Sequence, residues 1–217
     1  MAYTVAGSRR KQTPRSAIKD HLVTFDQFYE MVDEKTKADL LDGKIVRDSP
    51  AVPKHALVAT WVSTFLNIYA EKLDLGEVLG ATATVRLTPY NAPEPDVFFI
   101  RKGRLNIIND RFVDGPPDLC VEVISRSSRK YDHGRKFVLY AEQRVQEYWI
   151  IDPLQNTAEF YVNRGSEFVA IEPDAQGRLH SQVLEGLWVK LEWFTAPSLP
   201  PVLEVLQMVL EAKAPLI

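Results

Sequence analysis

The stretch Leu119–Ile151, LCVEVISRSSRKYDHGRKFVLYAEQRVQEYWII, decides the fold. Its opening run, Leu119-Cys120-Val121-Glu122-Val123-Ile124, is apolar except for one carboxylate and reads as a strand. Ser127 or Ser128 can cap a helix that continues to about Gln143. Tyr148-Trp149-Ile150-Ile151 is a further strand, ended by Asp152-Pro153. An unpaired carboxylate inside a sheet is costly, so Glu122 needs a partner or a metal unless it faces outward from a half-exposed strand. The helix offers a partner. Asp132, Lys136 and Tyr140 are spaced i, i+4, i+8 and share one face, while Val138, Leu139 and Ala141 can form the buried side. A simple surface ion pair between Asp132 and Lys136 is the plain alternative.

Upstream, Pro95-Asp96 opens the strand Val97-Phe98-Phe99-Ile100, which puts the Asp96 side chain at the edge of a buried sheet. Thr24-Phe25-Asp26-Gln27 fits a capping box for a helix to about Asp33. Leu40-Leu41-Asp42-Gly43-Lys44-Ile45-Val46 reads as a hairpin turned at Asp-Gly. Pro53 starts a long helix to about Lys72, with Val58, Val62, Phe65, Leu66 and Tyr69 at helical spacing. Val78 to Leu87 is strand-like, residues 101–118 form a loop with one short helix, and short strands are expected near 158–162, 167–171 and 181–184. A C-terminal amphipathic helix is expected from Pro200 to Lys213. This order predicts a mixed α/β (α+β) domain over 21–217, preceded by a polar, disordered arm over 1–20.

Composition bounds the function. With 26 Lys+Arg against 29 Asp+Glu, the formal charge of −3 offers no global attraction for a polyanion, so any DNA contact must rest on local basic clusters. Arg126, Arg129, Lys130 and Arg135, next to Lys136, form the densest such cluster; a solvated helix start is the competing account. One cysteine, Cys120, excludes a disulfide framework, and the histidines lack zinc-ligand spacing. No stretch suits a membrane span or secretory signal, and a cytoplasmic location is expected.

Taken in order, Pro95-Asp96, Val121-Glu122-Val123-Ile124-Ser125, Ser128, Asp132, Lys136, Tyr140 and Glu147-Tyr148-Trp149-Ile150-Ile151-Asp152-Pro153 resemble the Uma-type restriction endonuclease family of the PD-(D/E)xK nuclease superfamily. The resemblance runs from about Phe25 to Phe194. It implies a restriction-endonuclease-like core, a central mixed sheet flanked by helices, with a Mg²⁺ or Mn²⁺ site on Asp96 and Glu122. Lys136 looks like the family's relocated lysine, since Ile124 stands where the superfamily's usual motif has one. Asp39 is similar to a family glutamate and would be a further ligand, although shorter. His55 matches a histidine common in the family that could contact a phosphate or water; capping the helix start explains it equally well. Arg126 departs from the family's proline. Glu94 could support the site or be solvated.

The expected function is metal-dependent hydrolysis of DNA phosphodiesters, with Asp96, Glu122 and Lys136 as the reacting set and His55, Asp132 and Tyr140 supporting it. A non-catalytic nucleic-acid or protein-binding module and a hydrolase of small phosphorylated molecules are the alternatives. A homodimer is expected, because two strands need two cuts.

Overall fold

The first helix forms where its cap demands. Thr24 Oγ1 accepts the Gln27 amide at 3.4 Å, and Gln27 Oε1 accepts the Thr24 amide at 2.9 Å, closing a capping box on α1, Phe25–Met31. The helix stops at Met31, short of the expected Asp33, because Val32 turns extended. The computed structural model describes residues 22–32, 37–47, 52–80 and 82–212; the expected N-terminal arm, Asp33 and Lys213 lie outside them. Next comes the hairpin β1, Ala38–Leu41, and β2, Lys44–Arg47. Asp42 and Gly43 both have positive φ, 50° and 72°, as a primed turn requires. The 20-residue α2, Pro53–Lys72, begins with Pro at its first turn and buries Val58, Trp61, Val62, Phe65, Leu66 and Tyr69.

The expected strand over Val78–Leu87 is instead two: β3, Gly76–Gly80, and β4, Val85–Arg86. Then follow β5, Val97–Arg101, a 3₁₀ turn over Lys102–Ile107, the short β6, Val113–Asp114, and β7, Leu119–Val123. The single helix expected up to Gln143 is also two, α3, Arg129–Asp132, and α4, Arg135–Glu142. They meet at Gly134, whose backbone (φ −115°, ψ −98°) is not helical. A Cβ at Gly134 would lie 2.5 Å from the Lys130 carbonyl oxygen, so the joint needs glycine. Gly134→Ala is therefore expected to destabilise the protein by about 1–3 kcal/mol, read as a lower melting midpoint.

The chain continues through β8, Glu147–Asp152, β9, Thr157–Asn163, and β10, Phe168–Ala170. The strand expected at 181–184 is replaced by a hairpin on either side of it, β11, Arg178–His180, and β12, Trp188–Lys190. Residues 181–183 turn because they bind a buried acid: Glu147 Oε2 accepts the Ser181 hydroxyl at 2.9 Å and the Gln182 amide at 2.8 Å. Two helices close the described chain, α5, Glu192–Thr195, and α6, Val202–Glu211.

Six strands form one sheet in the order β10-β9-β8-β7-β5-β3. Only β7 and β8 run parallel within it, so the sheet is mixed. Strand parity then divides the core. Val97, Phe99, Leu119, Val121, Val123, Trp149 and Ile151 pack with α2, α5 and α6. Phe98, Ile100, Cys120, Ile124, Tyr148 and Ile150 face the other way, where Tyr140 of α4 covers them. Deep burial of Tyr148 and Trp149 makes them core residues rather than a stacking platform. A third cluster joins α1 to the β1–β2 hairpin through Phe25, Phe28, Ala38, Leu40 and Ala92. Among the described residues, no helix is long and apolar enough to cross a membrane.

Candidate active site

Parity also aims the acids. Glu122 lies between Cys120 and Ile124 on the face covered by α4. On the neighbouring antiparallel strand, Val97 pairs with Val121, and the next step of that register sets Asp96 level with Glu122. Like charges side by side on one sheet face repel, so this pair requires cations or protons. The hairpin adds Asp39 from β1, and α3 and α4 add Asp132 and Lys136. All five side chains are at most 4 % exposed.

Lys136 is the hub. Its Nζ lies 2.8 Å from Asp39 Oδ2, 3.1 Å from Glu122 Oε1 and 3.5 Å from Asp132 Oδ1. Tyr140, one turn on, donates its hydroxyl to the same Glu122 oxygen at 2.8 Å. The i, i+4, i+8 face thus converges on Glu122 despite the break at Gly134. Val138, expected to help form the buried side, is 48 % exposed, because the Lys136–Tyr140 face turns inward instead.

Asp96 has a different set of partners. Oδ2 accepts the Val123 amide at 2.8 Å and lies 3.2 Å from His55 Nε2; Oδ1 lies 2.5 Å from Lys37 Nζ. The sequence reading did not single out Lys37; its position just before Ala38-Asp39 is the only signal it carries. His55 stands in the first turn of α2, touching a carboxylate rather than capping the helix. Glu94 is a support: its Oε1 accepts the Thr84 hydroxyl, its Oε2 the Ala38 amide, and its own amide donates to Asp39 Oδ1 at 2.8 Å. That holds Asp39 against the rest of the site.

The electrostatics follow from burial. Among the described residues, five carboxylates, Asp39, Glu94, Asp96, Glu122 and Asp132, face two ammonium groups, Lys37 and Lys136. Burial pushes Glu122 up to about 8, with Lys136 opposing, and raises Asp132 and Glu94 as well. Asp96 goes the other way: burial is outweighed by His55 and Lys37, which hold it well below the usual carboxylate range. Burial also works against a charged lysine, yet the surrounding acids raise both Lys136 and Lys37.

Part of the expected basic cluster is occupied. The Arg129 guanidinium pairs with Asp152 and bonds Gln155. Arg135 makes two 2.7 Å bonds to Asp42, tying α4 to the hairpin that carries Asp39. Arg126 and Lys130 are exposed.

An oxygen-only set of buried carboxylates with surplus negative charge has the chemistry a hard divalent cation requires. Among the described residues, no three carboxylates, histidines or cysteines are arranged to hold an ion as they stand. Asp96 and Glu122 could still hold one with water completing the shell, as Mg²⁺ permits.

The mixed sheet, its flanking helices and this acid–lysine cluster define a restriction-endonuclease-like domain. The chain belongs to the Uma2 family, described as "Putative restriction endonuclease", whose model matches residues 25–193. A solved structure described as a "putative nuclease belonging to DUF820 from Anabaena variabilis ATCC 29413" shares the fold, with a TM-score of 0.65 and 17% identity over 80% of this chain and 98% of that one. None of the curated proteins matches the chain.

Proposed function

We propose that the chain is a metal-dependent endonuclease that hydrolyses DNA phosphodiester bonds. The observation that carries this reading is the Lys136 ammonium, delivered from α4 onto Glu122 of β7 beside Asp39, where a lysine on the strand itself is absent. Asp96 and Glu122 would hold Mg²⁺ or Mn²⁺, with Asp39 available on the hairpin. Bound there, the ion supplies Lewis-acid polarisation of the phosphodiester and lowers the pKa of water. Lys136, kept charged by its acids, neutralises charge that develops on the phosphate. Tyr140 fixes the Glu122 oxygen that Lys136 also binds. His55 and the Val123 amide orient Asp96 through Oδ2. Exposed Arg126 and Lys130 would contact the DNA backbone, and Arg129 and Arg135 act chiefly within the protein. A two-fold dimer would present two such sites to a duplex.

The test is cleavage of plasmid and linear DNA with Mg²⁺ or Mn²⁺. Wild type is expected to cut, and Asp96→Ala to lose about 10²–10³ in rate. Wild type no faster than Asp96→Ala on any of several substrates would refute the nuclease reading. One observation favours a second reading, a non-catalytic module: Lys37 and Lys136 already neutralise part of the acid cluster. Calorimetry separates the two, since the module predicts no Mn²⁺ binding even at millimolar ion.

A further inference from the structure

We propose that Lys37 is the incumbent cation on Asp96: its ammonium holds the oxygen a divalent ion would need, and the ion binds by displacing it. This inference rests on the metal reading above. Asp96 has two oxygens with separate duties. Oδ2 is fixed from inside the protein by the Val123 amide and by His55. Oδ1 is left for an outside ligand, and Lys37 Nζ lies 2.5 Å from it. The second acid of the pair is arranged alike. Among the described residues, both hydrogen bonds to the Glu122 carboxylate end on Oε1, which leaves Oε2 for another ligand.

The two lysines differ in how they can respond to an arriving ion. Lys136 is 2 % exposed at its side chain and touches three acids, so it is built in. The Lys37 side chain is 24 % exposed and reaches Asp96 from the start of the hairpin, on a flexible four-carbon stem. Its contact with Asp96 can be given up without breaking the Lys136 cluster, which it does not share. Ammonium and divalent ion compete for one oxygen in a site of surplus negative charge, so removing the ammonium strengthens metal binding even as it weakens the metal-free fold.

The test is titration of metal-free wild type, Lys37→Met and Asp96→Ala with MnCl₂ by calorimetry. Lys37→Met is expected to bind Mn²⁺ roughly 10-fold or more tightly than wild type, within the range typical for groups beside metal ligands. Equal or weaker binding by Lys37→Met overturns the competition. No binding by wild type or by Lys37→Met fails differently: it refutes the metal reading and this inference with it. A second measurement needs no variant of Lys37. An amine-acylating reagent followed by mass spectrometry is expected to modify Lys37 several-fold faster once Mn²⁺ is added to wild type, because the ammonium gives up its 2.5 Å contact with Asp96. An unchanged Lys37 rate in protein shown to hold Mn²⁺ overturns the displacement.

Discussion

Lys136→Met is expected to lower the stability of the metal-free protein by about 3–5 kcal/mol, the effect of breaking a buried ion pair from one side. The lysine is fully enclosed, and Asp39, Glu122 and Asp132 all lie within 3.5 Å of its Nζ. Methionine fills much of the same volume, so the loss is electrostatic rather than a cavity. For a chain of this size it corresponds to a fall in melting midpoint of roughly 6–20 °C. Protons can replace the missing ammonium, so the variant should recover part of the loss in mildly acid buffer. Urea denaturation of both proteins near neutral and mildly acid pH measures this directly. A loss below about 1 kcal/mol at both would mean that the Lys136 ammonium is not held by the charge of these acids. On the nuclease reading proposed above, cleavage should fall by about 10²–10³ at temperatures where the variant remains folded.

The second expected result is that metal-free wild type loses stability as pH rises from the ordinary carboxylate range towards 8. Burial holds the Glu122 carboxyl up at about 8, against an ordinary value of 4.5. Between those values the folded chain keeps a proton that the unfolded chain has released, so raising the pH favours unfolding. Asp96 has the opposite sign. Its depressed pKa contributes stability that is present above the ordinary aspartate value and lost in stronger acid. Together they place the maximum just above the ordinary carboxylate range, with a decline towards pH 8 to which the raised Asp132 and Glu94 add. Glu122→Gln should reduce that decline, since an amide does not titrate. On the metal reading proposed above, divalent ions should reverse it, because binding would expel the Glu122 proton and affinity for Mn²⁺ would climb with pH, by up to about tenfold per unit. Unfolding curves across this range, with and without Mn²⁺, supply the check; a flat or rising metal-free profile would contradict the assignment.

Much of this site was legible in the sequence because strand parity and helix periodicity are geometric rules. Glu122 among apolar residues, and Asp132, Lys136 and Tyr140 four apart, could be aimed at one point before any coordinates. The family resemblance added Asp39 and His55, which spacing alone could not have tied to Asp96 and Glu122. Lys37 stayed hidden because its role depends on a contact 59 residues away along the chain, to Asp96, and nothing local marks it. Arg129 and Arg135 were read as a basic patch because sequence shows charge but not its partners, Asp152 and Asp42. The broken helix at Gly134 and the turn at Ser181–Val183 were missed for a related reason. One depends on a close approach to the Lys130 carbonyl and the other on a buried Glu147. Both are tertiary demands that override local propensity.

Cys120 is the chain's single thiol, and it is sealed within the sheet with its pKa driven well above the ordinary value by burial and by Glu122. It is therefore inert to ordinary thiol reagents. A cysteine introduced at an exposed position such as Lys130 would then be the one reactive thiol, with no background to remove. A fluorophore attached there, two residues from Asp132 on the same helix, would report what approaches that face in solution on an otherwise native chain.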